Sequence, residues 1–249
     1  MKVIITRPLE QGVEFANLLK KEEKDFEPVL LPTLELIYNK IPINIDEYDW
    51  IVFTSPRGVK GLFKNLDEEG LKKIKEKKIG VIGIETAREF RRTFNMEVDV
   101  VPKEYTAESL LESLKGRLSK KDRILLPTTP ASRDILPKNL NGDVIHVYYS
   151  KEPDNLKYKI SMDLKDKLSK EKDRNVVLTF TSALTAKNFF KYVDEEFLNM
   201  LKKQYIVSIG PITNRAVGRY GGLKGYIPKE YTIKGMIEVI KYLKKQKNI

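Results

Sequence analysis

Trp50 to Val59 reads WIVFTSPRGV, and Val176 to Ala186 reads VVLTFTSALTA. Both stretches follow one pattern: an apolar run rich in β-formers, then Thr-Ser, then a helix-like periodicity. Each is read as a buried strand that delivers Thr54-Ser55, or Thr181-Ser182, to the point where a helix begins. In an open α/β sheet, ligands bind at such points, at the carboxyl ends of strands beside helix N-termini. The chain builds that place twice.

The duplication runs further. Phe53-Thr54-Ser55 recurs 127 residues on as Phe180-Thr181-Ser182. Gly83 and Thr86 recur at the same offset of 127 as Gly210 and Thr213. Pro102-Lys103-Glu104-Tyr105-Thr106 returns letter for letter as Pro228-Lys229-Glu230-Tyr231-Thr232. A chance five-letter match somewhere in such a chain has odds of about a few per cent. Three collinear matches are not chance, so the chain holds two related α/β units.

The length of 249 residues allows one large domain or two ordinary ones, and the repeat decides for two. A hydrophobic content of 41% and an aromatic content of 9% are those of a globular protein. No apolar run approaches the ~20 residues of a membrane span. The opening MKVIITRPLEQG starts a strand and has no signal-peptide design. The absence of cysteine excludes disulfides and thiolate metal sites, and a single histidine, His146, cannot build a histidine-based one. No stretch has the spacing of a Ca²⁺ or Mg²⁺ loop. A cytoplasmic protein without a metal is the plain expectation. The formal charge of +11 favours an anionic partner. Lysine-rich runs such as Lys72–Lys78 and Lys241–Lys247 read equally as solvated helix faces. Neither an aromatic-basic RNA signature nor a recognition helix accompanies the charge, so nucleic acid is not expected.

Strands are predicted at Lys2–Ile5, Pro28–Leu31, Asp49–Phe53, Lys78–Ile82, Val98–Val101, Arg123–Leu126, Val176–Phe180, Tyr205–Ile209 and Lys224–Ile227. A longer extended run covers Asp143–Tyr149. The first helix is marked by Val13, Ala16, Leu18 and Leu19. A strand–Thr-Arg-Pro–helix unit, Val3–Leu19, opens the chain. Its counterpart, strand–Thr-Thr-Pro–helix over Leu125–Leu136, comes late in the middle of the chain. The two halves are therefore cyclically permuted, as insertion of one domain into another would leave them. The outer domain is expected over 1–36 plus 155–249 and the inserted domain over 45–147. Residues 32–45 and 144–154 would be linker strands that pair as a two-stranded ladder. Each domain is expected to be a doubly wound parallel sheet of order 2-1-3-4-5.

Chemistry is expected where the strands end, in a cleft between the domains. The Thr-Ser turns and the turns Gly83–Thr86 and Gly210–Thr213 offer hydroxyls and helix-terminal N–H groups. Taken singly, such residues read as helix caps. What favours function is the cationic company of Arg7, Arg57, Arg88, Arg133, Lys187 and Arg215, since guanidinium groups beside helix N-termini suit carboxylates. A Gly-rich phosphate loop, a Ser-His-Asp set, a glycosidase-like acidic pair and a thiol are all absent. His146 reads as an exposed linker side chain. Any reaction here must be one that orientation and charge stabilisation can carry. The alternative is a non-enzymatic two-domain binder of a small polyanion, closing on it by hinge motion.

Taken in order, the motifs resemble those of uroporphyrinogen-III synthase. They are Thr6-Arg7-Pro8; Tyr48 to Pro56 with Gly58-Val59; Gly83-Ile84-Glu85-Thr86-Ala87; Arg133 with Leu136; Val147-Tyr148; Phe180-Thr181-Ser182; and Ile209 to Thr213. The resemblance covers the whole chain. It implies two flavodoxin-like domains on a β-ladder linker, a monomer, and no cofactor. It implies hydroxymethylbilane as substrate, a linear tetrapyrrole whose cyclisation loses water and inverts ring D through a spiro intermediate. It implies Tyr148 as the residue assisting departure of the hydroxyl, as a hydrogen-bond donor. Arg7, Ser55, Arg57, Thr86, Arg133, Ser182 and Thr213 would bind the substrate. Ile212 and Ala183-Leu184 depart from the family's usual residues at two of these turns. The expected partners are this small molecule and, transiently, the upstream bilane-forming enzyme, with no membrane.

Overall fold

The structure is a computed structural model that describes residues 1–132 and 134–247. Its strands are β1 (Lys2–Ile5), β2 (Glu27–Leu30), β3 (Glu35–Tyr38), β4 (Trp50–Phe53) and β5 (Lys78–Val81). They continue with β6 (Ile124–Thr128), β7 (Gly142–His146), β8 (Tyr148–Lys151), β9 (Val176–Phe180) and β10 (Tyr205–Ser208). The chain divides into two compact units, one of residues 1–35 and 150–249, the other of residues 36–149. The fold is α/β, with two flavodoxin-like parallel sheets and a separate two-stranded sheet of β3 and β8.

In the outer unit the sheet order is β10-β9-β1-β2, all parallel. Alternation along each strand sends side chains to opposite faces. Ile4, Leu178, Phe180 and Ile206 face one core, with Phe189, Phe197 and Val217 from the helices above it. Val3, Ile5, Val177 and Val207 face the other, with Phe15, Leu19, Ile237 and Ile240. Both faces are covered, so strands such as Val176–Phe180 read as continuous apolar runs rather than alternating ones. The polar intruder Thr179 is fully buried because its hydroxyl donates to the Ile4 carbonyl at 2.8 Å. The Thr6 hydroxyl donates in turn to the Thr179 carbonyl at 2.7 Å.

The inserted unit repeats the plan. Its sheet order is β5-β4-β6-β7, again parallel. Ile51, Phe53, Ile79, Val81 and Leu125 line one core and Trp50, Val52, Ile124 and Leu126 the other. The fifth strands predicted at Val98–Val101 and Lys224–Ile227 shrink to single parallel bridges, Gly80↔Val100 and Val207↔Tyr226. With those bridges the outer unit has the expected order 2-1-3-4-5. The inserted unit does not: counted along its own chain it runs 3-2-1-4-5. The permutation is the reason. Spatially the two sheets agree, with β6 in the place of β1, β7 of β2, β4 of β9 and β5 of β10.

Two local expectations are also corrected. In the first helix, Leu9–Glu22, the buried positions are Gly12, Phe15 and Leu19, while Val13 and Leu18 are exposed. The extended run Asp143–Tyr149 is not one strand. It is divided between β7, an edge of the inserted sheet, and β8, the partner of β3.

Candidate active site

Three adjacent strands of the inserted sheet lead into turns or helices that carry hydroxyl residues. β4 is followed by Thr54-Ser55, β6 ends in Thr128 and is followed by Thr129, and β5 leads through Gly83 into the helix Ile84–Phe94 that carries Thr86. Ser55 caps the helix Pro56–Phe63, its hydroxyl accepting the Gly58 N–H at 3.1 Å. This helix lies close on the strand ends. A Cβ on Gly58 would stand 2.5 Å from the Pro127 carbonyl oxygen, and one on Gly61 2.5 Å from Val147 Cγ2. Only glycine permits that approach.

The approach positions Tyr148. The Val147 N–H donates to the Thr128 carbonyl at 3.0 Å, and the Val147 side chain is wedged under Gly61. The next residue, Tyr148, is 6% exposed, and its phenolic oxygen lies 3.1 Å from Ser55 Oγ. Its ring tilts against Tyr38 with centroids 6.3 Å apart. A recess of about 230 Å³ opens here, lined by Thr54, Ser55, Ile82, Ala107, Thr128, Thr129, Ser132, Leu136 and Tyr148. Of these nine described residues, six carry hydroxyls and none a charge. A larger groove of about 480 Å³ runs past Tyr226, Lys229, Lys234 and Tyr242 in the outer unit, but it touches none of the predicted residues.

The structure therefore brings Ser55 and Tyr148 together directly. Arg57, half-buried, follows in the first turn of the helix that Ser55 caps. Thr86 is 2% exposed, at the third position of its helix. In the outer unit, Arg7, Ser182 and Thr213 follow the ends of the adjacent strands β1, β9 and β10. The Arg7 guanidinium donates to Gln11 Oε1 at 3.2 Å. The Ser182 hydroxyl is engaged in a capping box: it accepts the Thr185 N–H at 3.2 Å, while Thr185 Oγ1 accepts the Ser182 N–H at 3.3 Å. Thr213 is 4% exposed. Arg133 lies outside the described residues. His146 is exposed. Among the described residues, no three His, Asp or Glu side chains converge to hold a metal ion.

Thr128, Thr129 and Ser132 join the recess without having been singled out from the sequence. Their signal in the sequence is the Thr-Thr-Pro turn, Thr128 to Pro130, which stands where the outer unit has Thr6-Arg7-Pro8.

Comparison with known proteins decides the family. The model described as "Uroporphyrinogen-III synthase HemD" matches residues 14–238. The chain belongs to the uroporphyrinogen-III synthase family. A Methanocaldococcus jannaschii protein provisionally named uroporphyrinogen-III synthase is 53% identical over 247 residues, 99% of this chain and 100% of the relative. The Chlorobaculum parvum uroporphyrinogen-III synthase is 25% identical over 238 residues, 92% of this chain and 93% of its own. The crystal structure of uroporphyrinogen-III synthetase from Helicobacter pylori 26695 shares the fold, with a TM-score of 0.65 at 16% identity over 97% of this chain and 98% of that one. Membership of the uroporphyrinogen-III synthase family makes this chain a cyclising lyase of porphyrin biosynthesis. No helix among the described residues is long and apolar enough to cross a membrane.

Proposed function

We propose that this enzyme closes hydroxymethylbilane to uroporphyrinogen III, with Tyr148 at the departing hydroxyl and the strand-end turns holding the substrate's carboxylates. The Tyr148–Ser55 contact carries this reading. Ser55 Oγ already accepts the Gly58 N–H, so its own proton is free to point at the Tyr148 oxygen. The phenolic proton is then left for the ligand. The pyrrole nitrogen lone pair of the bilane expels the hydroxyl, and a neutral donor at the leaving oxygen suffices to assist it. The described lining of the recess, rich in hydroxyls and without a charge, suits a neutral hydroxymethyl group better than a carboxylate, which would find no charged partner among those residues.

The carboxylates belong at the helix starts. Gly83 and Gly210 begin their helices without a side-chain cap, so the first N–H groups of each remain available to an anion. Thr86 and Thr213 stand in those first turns, and Arg7, Arg57 and Arg133 supply positive charge. Ser182 acts through the helix start it organises, since its hydroxyl is committed to Thr185. No cofactor is needed. The enzyme works as a cytoplasmic monomer made of the outer domain 1–36 plus 155–249 and the inserted domain 45–147. It meets the upstream bilane-forming enzyme only in transfer of the substrate.

The test is to supply hydroxymethylbilane and separate the oxidised products. The type III isomer, formed faster than spontaneous closure, is expected. Type I product alone at the uncatalysed rate would instead leave a polyanion binder.

A further inference from the structure

We propose that Tyr105 and Tyr231 are substrate-binding residues, each presenting its ring to one pyrrole whose carboxylate arm reaches the adjoining helix start; this rests on the reading above. The two tyrosines are the fourth letters of the repeated Pro-Lys-Glu-Tyr-Thr. The last letter of the repeat has a structural duty in both units. Thr106 Oγ1 accepts the Ser109 N–H at 3.1 Å, and Thr232 Oγ1 accepts the Gly235 N–H at 3.0 Å. The tyrosine caps nothing, yet it is retained.

Its position is the same twice. A Cβ built on Gly83 would lie 2.9 Å from Tyr105 Cγ, and one on Gly210 3.4 Å from Tyr231 Cγ. Each ring thus lies on the glycine that opens a helix. Those glycines provide no side-chain cap, whereas Ser55, Thr106 and Ser182 cap theirs. Each such helix also carries a threonine, Thr86 or Thr213, more than nine-tenths buried and without a hydrogen bond from its hydroxyl to any described residue. A ring whose sole task was to cover a glycine would bury itself in doing so. Both tyrosines instead remain 60% exposed. In the outer unit Ile212, 69% exposed, adds an apolar surface one residue past Pro211. Exposed apolar surface beside unsatisfied N–H groups fits a flat, electron-rich ring that carries an anionic arm. Aromatic rings gain from offset or edge-on contact, and the carboxylate takes the N–H groups.

The experiment compares Tyr105→Phe, Tyr105→Leu, Tyr231→Phe and Tyr231→Leu by titration with uroporphyrin III and by melting temperature. Each leucine change should weaken porphyrin binding roughly three- to tenfold, the contribution of one aromatic pair. Each phenylalanine change should stay within about twofold, since the ring and not the hydroxyl is required. Melting temperatures should match the parent. Should a leucine variant fail to fold, methionine, which can also cover the glycine, takes its place. Parental affinity in both leucine variants overturns the proposal, as does weakening that occurs only together with a lowered melting temperature. Because the probe is bound and not turned over, the result is independent of whether the parent makes type III product.

Discussion

The hydroxyl oxygens of Tyr148 and Ser55 lie 3.1 Å apart although the residues are 93 positions apart in the chain. This contact ties a helix cap to the side chain proposed for the leaving group, since the Gly58 N–H and the Tyr148 hydroxyl meet at one oxygen, Ser55 Oγ.

Tyr148→Phe removes the donor and leaves the packing against Tyr38. Hydrogen bonds to a group developing charge are worth about 1.5–3 kcal/mol. Turnover should fall roughly ten- to a hundredfold, with type III product still formed. Rate and isomer ratio measured on hydroxymethylbilane check this. A folded variant with no activity would indicate an obligatory general acid, and one with full activity a purely structural tyrosine.

Ser55→Ala and Ser182→Ala should separate two similar-looking caps. Each loses an N-cap, worth about 1 kcal/mol of stability. Ser55→Ala also deprives Tyr148 of its partner, so its turnover should drop alongside its stability. Ser182→Ala should lower the denaturation midpoint and raise the substrate constant, while turnover at saturating substrate stays close to parental. Paired denaturant melts and rate measurements decide it. An unaffected rate in Ser55→Ala would detach the contact from catalysis.

Gly61→Ala forces a methyl group against Val147, 2.5 Å from its Cγ2. Overpacking of this kind costs about 1–3 kcal/mol. Because Val147 immediately precedes Tyr148, the rate should fall in samples that are still fully folded, measured well below the melting temperature. A variant that loses stability alone would show that Tyr148 is not held by this wedge.

Asp143 accepts hydrogen bonds from Arg123 at 2.7 Å and Tyr48 at 3.1 Å, the guanidinium foremost in holding its carboxyl below the ordinary range. Its folded pKa is depressed, so its contribution is fully present above the unfolded value of about 4 and is lost as pH falls through the folded one. Asp143→Asn should therefore melt slightly below the parent at neutral pH, with the gap closing in acid. The pair is half-exposed, so the gap should be small and shrink in high salt. A gap unchanged across the acid range would assign the effect to something other than the charge.

Several features followed from the chain order alone. Continuous apolar runs ending in Thr-Ser identify buried parallel strands, because strand burial on both faces leaves no alternation. Duplicated letters at a constant offset, with Thr-Arg-Pro early in one half and Thr-Thr-Pro late in the other, identify two permuted units. These are properties of local sequence and of its repetition, so no folded structure is required to see them. The family resemblance rests on the same ordered motifs.

Other features depended on which distant pieces pack together. Asp143–Tyr149 looks uniformly extended, and only competition between the sheet edge at β6 and the strand β3 divides it into β7 and β8. Val98–Val101 and Lys224–Ile227 have the composition of strands, yet each pairs at one residue only. The inward stripe of the first helix centres on Phe15 and Leu19 because the sheet selects one face, whereas Val13 and Leu18 are equally apolar in sequence. The recess is the clearest case. Thr54, Ser55, Thr128 and Tyr148 come from three separated segments, and they meet because glycines at 58 and 61 let a helix close onto the strand ends. Local sequence sets what each segment can become, but side chains that meet across such distances are selected by the packing of the whole sheet.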